Sequence, residues 1–339
     1  MFSLYANPKN WMTGLLLGVL WLSHRLLPYH FKLQIFRVFG RIAFGFNHAR
    51  RSIANVNLSL CYPDMSGDDR DAMVRRNFEH FFVSFVEIAI SWWGKDEGML
   101  DNVSFIGTEH FDSALAQGKG VILIGAHFST IELGAALIKK YIGESTPLHV
   151  VYKDQKNALF NAWMLRGRGR HVRSCINSKD SRQIIKTIRS KEIVWYAPDH
   201  DHGVRNTVFA PFFGHPAATL TTTATLAKIS GAPVIMMGNY RKSDNSGYWV
   251  KFQPPLADFP SDDDLQDATR VNQMIEAAIS VAPDQYMWIH RRFKTQPGLP
   301  KSQLYGKDPH KKQTAGKNAW VVIVEPVGSS DRAGMFTSC

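Results

Sequence analysis

A histidine, a glutamate and two closely spaced aspartates stand where acid–base chemistry can be done. In Gly125-Ala126-His127-Phe128-Ser129-Thr130-Ile131-Glu132-Leu133-Gly134 the imidazole precedes the carboxylate by five positions. The apolar run Val121-Ile122-Leu123-Ile124 comes just before, so His127 falls in a strand-to-helix turn and Glu132 in the first helical turn. From there the carboxylate could hold one imidazole nitrogen and leave the other as a general base. The same residues allow a purely structural account, because Ser129-x-x-Glu132 is a capping box whose glutamate satisfies an orphan amide. The two accounts differ in size: a lost cap costs ~1 kcal/mol of stability, a lost general base ~10²–10⁴ in rate. A second polar cluster, Asp199-His200-Asp201-His202, follows the apolar Ile193-Val194-Trp195-Tyr196. Alternating Asp and His could ligate a divalent metal, or form a turn whose carboxylates orient arginines across a cleft. Between Trp163 and Lys191 there are nine Lys or Arg against the single Asp180, which makes either a solvated basic face or a surface for anions.

The elements that must position these groups follow from periodicity. Short apolar runs predict strands at 121–124, 148–152, 193–196, 234–237 and 248–252, and helical spacing predicts helices at 70–92, 129–141, 156–168, 181–190, 221–230 and 267–281. This alternation implies an α/β fold, a mostly parallel central sheet with helices on both faces. Ligand sites in such sheets lie at the carboxyl ends of strands, where His127 and Asp199 both fall. The chain has 339 residues, 45% hydrophobic and 20% charged, which excludes a disordered chain and a multi-span membrane protein. Cys61, Cys175 and Cys339 are far apart and odd in number, which excludes a disulfide framework or a thiolate zinc site and suits a reducing compartment.

The formal charge is +11, and residues 1–63 carry seven Lys or Arg and no acidic residue. The longest apolar stretch, residues 11–22, lies in the same segment, with His24, Arg25 and a second apolar stretch behind it. It is short for a span of about 20 residues. Extended through Arg25 it could cross with a snorkelling arginine, or lie in the interface with Trp11 and Trp21 at headgroup depth; a buried core helix is the plain alternative. The basic, acid-free segment favours anionic headgroups, and the expectation is an uncleaved N-terminal membrane-anchoring helix.

The motifs together resemble a known family. His127-x4-Glu132 is similar to the His-x4-Asp/Glu signature of glycerolipid acyltransferases, specifically the lipid A biosynthesis late acyltransferases of the lauroyl/myristoyl type. Three further blocks resemble that family in order and spacing: residues 194–203, running Val-Trp-Tyr-Ala-Pro-Asp-His-Asp-His-Gly; residues 211–219, which begin Pro-Phe-Phe-Gly-His; and residues 285–295, which contain Met287-Trp288-Ile289-His290-Arg291-Arg292-Phe293-Lys294. The resemblance covers roughly residues 8–305, and the acidic partner here is Glu where the wider group has Asp.

It implies transfer of a fatty acyl chain from an acyl carrier protein thioester to a hydroxyl of an acylated lipid A precursor, at the cytoplasmic side of the inner membrane. His127 would be the base, oriented by Glu132, with Arg166, or after it Arg168, at the carbonyl oxygen or a substrate phosphate. Asp199 would organise the site, by pairing with Arg291 or Arg292. Asp201, Arg291, Arg292 and Lys294 are substrate-binding candidates, although surface solvation would also account for the last three. No Gly-x-Ser-x-Gly elbow is present, which favours direct transfer over an acyl-enzyme. The expected organisation is an anchor and amphipathic helix at 1–40, an acyltransferase domain at 41–305 and a C-terminal extension at 306–339, containing a short strand-like run at 320–324. Expected partners are acyl carrier protein, the lipid A precursor and inner-membrane lipids, with no cofactor, no metal and no nucleic acid. The rivals are an acyltransferase of the same fold using another glycolipid or coenzyme A thioesters, a metal-dependent hydrolase centred on Asp199 to His202, and a non-catalytic lipid-binding protein.

Overall fold

Five helices lead into the first strand: α1 (Phe2–Tyr5), α2 (Trp11–Leu26), α3 (Tyr29–Phe46), α4 (His48–Cys61) and α5 (Gly67–Trp93). This is a computed structural model that describes residues 2–94, 97–299 and 303–306. The expected strand at 320–324 lies outside the described residues. Strands and helices then alternate: β1 (Val103–Ile106), α6 (Thr108–Ala116), β2 (Val121–Ile124), α7 (Gly134–Ile142), β3 (Leu148–Tyr152), α8 (Ala158–Arg168), β4 (Ser174–Asn177), α9 (Ser181–Arg189) and β5 (Ile193–Tyr196). A hairpin of β6 (Thr207–Phe212) and β7 (His215–Leu220) follows, then α10 (Thr222–Ser230), β8 (Val234–Arg241), β9 (Tyr248–Phe252) and α11 (Asp264–Ile279).

Seven strands form one sheet in the order β1-β9-β8-β2-β5-β3-β4. All of its pairs are parallel except β8 with β9. A parallel strand buried on both faces reads as a continuous apolar run, and every residue of β2 is buried. Its side chains alternate between two apolar layers. Ile122 and Ile124 pack with Leu226, Met236 and Ile275, whereas Val121 and Leu123 pack with Phe111, Leu137 and Ile138. Helices therefore cover both faces, as the alternation predicts.

The centre of the helical side is α5. The Ser66 hydroxyl caps it by accepting from Asp69 N at 3.1 Å, Asp68 and Asp69 complement its positive end, and Gly94 ends it at φ +73. Helix α3 lies directly on it. A Cβ placed on Gly40 would come within 2.7 Å of Glu79 Cα, so only glycine permits this approach of two helix backbones.

Of the two placements open to the anchoring segment, the span has no helix to make it: among the described residues no helix is long and apolar enough to cross a membrane. Helix α2 has 16 residues, about 24 Å of rise against ~30 Å of hydrocarbon. Its apolar stretch cannot be extended as one helix, because the chain breaks at Leu27 and restarts after Pro28.

Candidate active site

Strands β2 and β5 are parallel neighbours in the middle of the sheet, with Ile124 opposite Tyr196. The loops that leave their carboxyl ends carry His127 and Asp199, and these residues meet. Asp199 Oδ1 lies 2.7 Å from His127 Nδ1, and Asp199 Oδ2 accepts from His127 N at 3.0 Å. A carboxylate only accepts, so Nδ1 carries the proton and Nε2 keeps its lone pair. The Asp199 side chain is fully buried, while that of His127 is 25% exposed. Burial works to protonate Asp199, but the His127 ring and its hydrogen bonds hold the carboxyl well below the usual carboxylate range.

Glu132 is not the partner of His127. Its Oε2 accepts from Arg168 Nε at 3.1 Å and from Trp92 Nε1 at 3.3 Å, and a second Arg168 nitrogen bonds Oε1. Burial would raise this carboxyl, and the Arg168 guanidinium outweighs it to hold the group below its ordinary value. The capping box does not form either. Ser129 N donates to Gln285 O at 2.7 Å, Phe128 bridges Tyr286, and Met287 N donates to His127 O. The Thr130 hydroxyl donates to Asn239 O, and Asn239 Nδ2 donates back to Thr130 O. Residues 126–130 are thus drawn out along the 285–287 segment and pinned by β8. A 3₁₀ turn, Ile131–Leu133, comes next, and α7 begins only at Gly134. Two glycines admit the Trp195 ring here: a Cβ on Gly125 would meet Trp195 Nε1 at 2.7 Å, and one on Gly134 would overlap the ring edge.

The other expected site residues are placed differently from one another. Arg166 is exposed at the end of α8, with its guanidinium 5.6 Å from the Trp163 ring centroid. Arg168, two residues on, turns inward to Glu132, so of these two arginines it is the one held in place. Asp199 pairs with His127 rather than with Arg291 or Arg292. Arg292 is 2% exposed and donates to Ala218 O, Thr219 Oγ1 and Asn272 Oδ1; it braces the β7 strand and α11 instead of facing a substrate. Arg291 lies over the Tyr305 ring, 5.9 Å from its centroid. Asp201 accepts from Gly203 N, Thr295 N and Thr295 Oγ1, and lies 3.6 Å from Lys294 Nζ. That carboxylate ties the loop after β5 to the 290–295 segment.

Two residues quoted within the motifs, but not singled out as orienting groups, complete the site. The ring of His200 stacks on His127 with centroids 3.5 Å apart and planes 12° apart, and the ring of His290 stacks on His200 at 3.7 Å and 13°. Burial first, then the neighbouring His127, lowers His200 to about 2 and His290 to about 4. The cluster Asp199 to His202 does not act as a unit, because Asp201 is buried and His202 is exposed. His127, Asp199 and His200 do bring three potential ligand atoms within 4.8 Å of one another. Imidazole lone pairs lie in the ring plane, however, so stacked rings direct them side by side instead of toward one ion, and Asp199 is already spent on His127.

The stack makes stability depend on pH. Unfolded histidines titrate near 6.5, above the lowered native values of His200 and His290, so the unfolded chain binds the extra protons. Stability is therefore fully present above about pH 6.5 and is lost as pH falls toward 4, by up to ~1.4 kcal/mol per pH unit for each histidine. Urea unfolding midpoints measured from pH 7.5 to 4.5 should fall accordingly, and less steeply in a His290→Phe protein.

The fold and site define an α/β protein with a histidine–aspartate dyad at the carboxyl ends of two adjacent parallel strands. The chain belongs to the bacterial lipid A biosynthesis acyltransferases, whose family profile matches residues 3–295. It is 40% identical over 296 residues to the lipid A biosynthesis lauroyltransferase of Escherichia coli, covering 87% of this chain and 95% of that one. With the palmitoleoyltransferase of the same organism it shares 35% over 302 residues, 89% of this chain and 96% of the other. A lipid A biosynthesis acyltransferase of Haemophilus influenzae is 36% identical over 313 residues, 89% and 96% of the two chains.

Proposed function

We propose that this protein moves a fatty acyl chain from an acyl carrier protein thioester to a hydroxyl of an acylated lipid A precursor, with His127 as the general base. The observation that carries this reading is the clamp of Asp199 on Nδ1 of His127, which leaves Nε2 as the acceptor on a partly exposed ring. In the reaction Nε2 takes the proton of the attacking hydroxyl as its oxygen bonds the thioester carbonyl carbon. Asp199 stabilises the imidazolium. The C–S bond then breaks, and the imidazolium returns its proton to the leaving thiolate. Arg168, held by Glu132, is the fixed cation suited to the carbonyl oxygen or a substrate phosphate, so Glu132 acts on the reaction through Arg168.

The acceptor would reach the site from the cytoplasmic face of the inner membrane. Trp11, Leu15, Leu16 and Val19 of α2 and Phe31 and Phe46 of α3 are all exposed, in a segment of seven basic and no acidic residues. Such a face suits interfacial adsorption without a span. Leu15→Ser/Leu16→Ser/Phe31→Ser should weaken sedimentation with anionic vesicles more than tenfold while leaving the far-ultraviolet circular dichroism unchanged.

Mass spectrometry of lipid A from cells lacking and then re-expressing the gene tests the function as a whole. Loss and return of one secondary acyl chain supports it, and an unchanged acyl pattern sinks it. Purified enzyme given acyl carrier protein or coenzyme A thioesters identifies the donor.

A further inference from the structure

We propose that His200 and His290 are positioning residues for His127, two flat neutral rings stacked against the base that fix the plane in which its Nε2 lone pair points. This rests on the reading of His127 as the base. A single hydrogen bond at Nδ1 sets where an imidazole sits but lets the ring swing about that bond. Proton transfer needs the lone pair aligned with the incoming hydroxyl, and small misplacements cost rate steeply. The stack supplies the missing constraint, with all three planes within 13° of their neighbours.

The column is anchored at both ends. Asp199 holds His127, and at the far end Asn57 of α4, itself buried, donates to the backbone oxygens of both Trp288 and His290 at 2.6 Å. Tyr305 Oη in turn donates to Asn57 Oδ1 at 2.6 Å. The Nε2 atoms of His200 and His290 are buried with no hydrogen-bond partner among the described residues, so the two rings serve through their faces. Asp199, His202, Arg292 and Lys294 are the charged or titratable groups around them. With three cationic or basic neighbours, a second proton in the column is opposed. His127 can therefore charge and discharge during turnover while its two supports stay neutral.

The test compares planar and non-planar replacements of similar size. His200→Leu should lower kcat by tenfold to a hundredfold with KM within twofold of the parent, and His200→Phe should restore kcat to within about threefold. His290→Leu and His290→Phe should repeat the pattern more weakly, one ring further from the base. Thermal unfolding of each variant confirms that folded protein is compared, and nitrogen-15 histidine spectra of the parent should show His200 and His290 neutral at pH 7. Parental kcat in both Leu variants, alongside an inactive His127→Ala protein, would overturn the proposal and leave the base assignment standing. So would folded Phe variants no better than Leu. Full turnover by His127→Ala would instead sink the reading of His127 as base.

Discussion

Asp199→Asn should lower kcat by ~10²–10⁴, with KM little changed and the thermal midpoint within a few degrees of the parent. The amide keeps the size of the carboxylate but changes two things. Asn Nδ2 can donate where Asp199 only accepts, so the tautomer with the proton on Nε2 becomes competitive and the lone pair is lost from the side facing substrate. The negative charge that stabilises the imidazolium also goes. His127→Ala should be at least as severe, because no other nitrogen takes its place. The two effects should not add, because both residues act on one proton. Single-turnover acyl transfer by His127→Ala, Asp199→Asn and the double variant, each checked for vesicle binding, measures this. A double variant much slower than either single would mean that the residues act independently.

Arg168→Ala should destabilise the fold by about 3 kcal/mol, which in a chain of this size lowers the thermal midpoint by about 4–5 °C. The reason is asymmetry. The Glu132 and Arg168 side chains are only 14% and 21% exposed, and removing the guanidinium leaves a carboxylate with Trp92 Nε1 as its one remaining side-chain donor among the described residues. The double variant Glu132→Gln/Arg168→Met removes both charges and should recover most of the lost stability, since a well-packed neutral pair can match a buried ion pair. It should not recover turnover, because the fixed cation is gone. Arg168→Lys should recover little of either, as a point charge cannot match the two-pronged contact. Calorimetry with parallel rate measurements separates these outcomes. A stable, fully active Arg168→Ala protein would show that the pair neither holds the fold nor serves the reaction.

The sheet and its helices were legible because their causes are local. Apolar runs such as 121–124 and 193–196 read as buried strands between helices, and α5 is legible from its helical spacing over 70–92, although its cap at Ser66 and first turn are seen only in the structure. Elements without that signature were not legible. Strand β4 reads Ser-Cys-Ile-Asn and is held by pairing with β3, and the hairpin β6–β7 is interrupted by prolines that sit opposite each other at its tip. Whether the first apolar stretch could extend into a span was not legible for a related reason, since hydropathy counts apolar residues but not the break at Leu27 and Pro28.

By itself the sequence determined that His127 stands at a strand end and that a family likeness runs through four motifs. It could not determine which carboxylate that histidine meets. Glu132 is five residues away along the chain and Asp199 is 72, yet the parallel register of β2 with β5 puts the distant one in contact. Helix spacing suggested the nearer partner only on the assumption that a helix begins at Ser129, and pairing with residues 285–287 removes that helix turn. The histidine stack has the same origin. Its three rings come from loops that no local rule connects, and only closure of the fold brings them face to face.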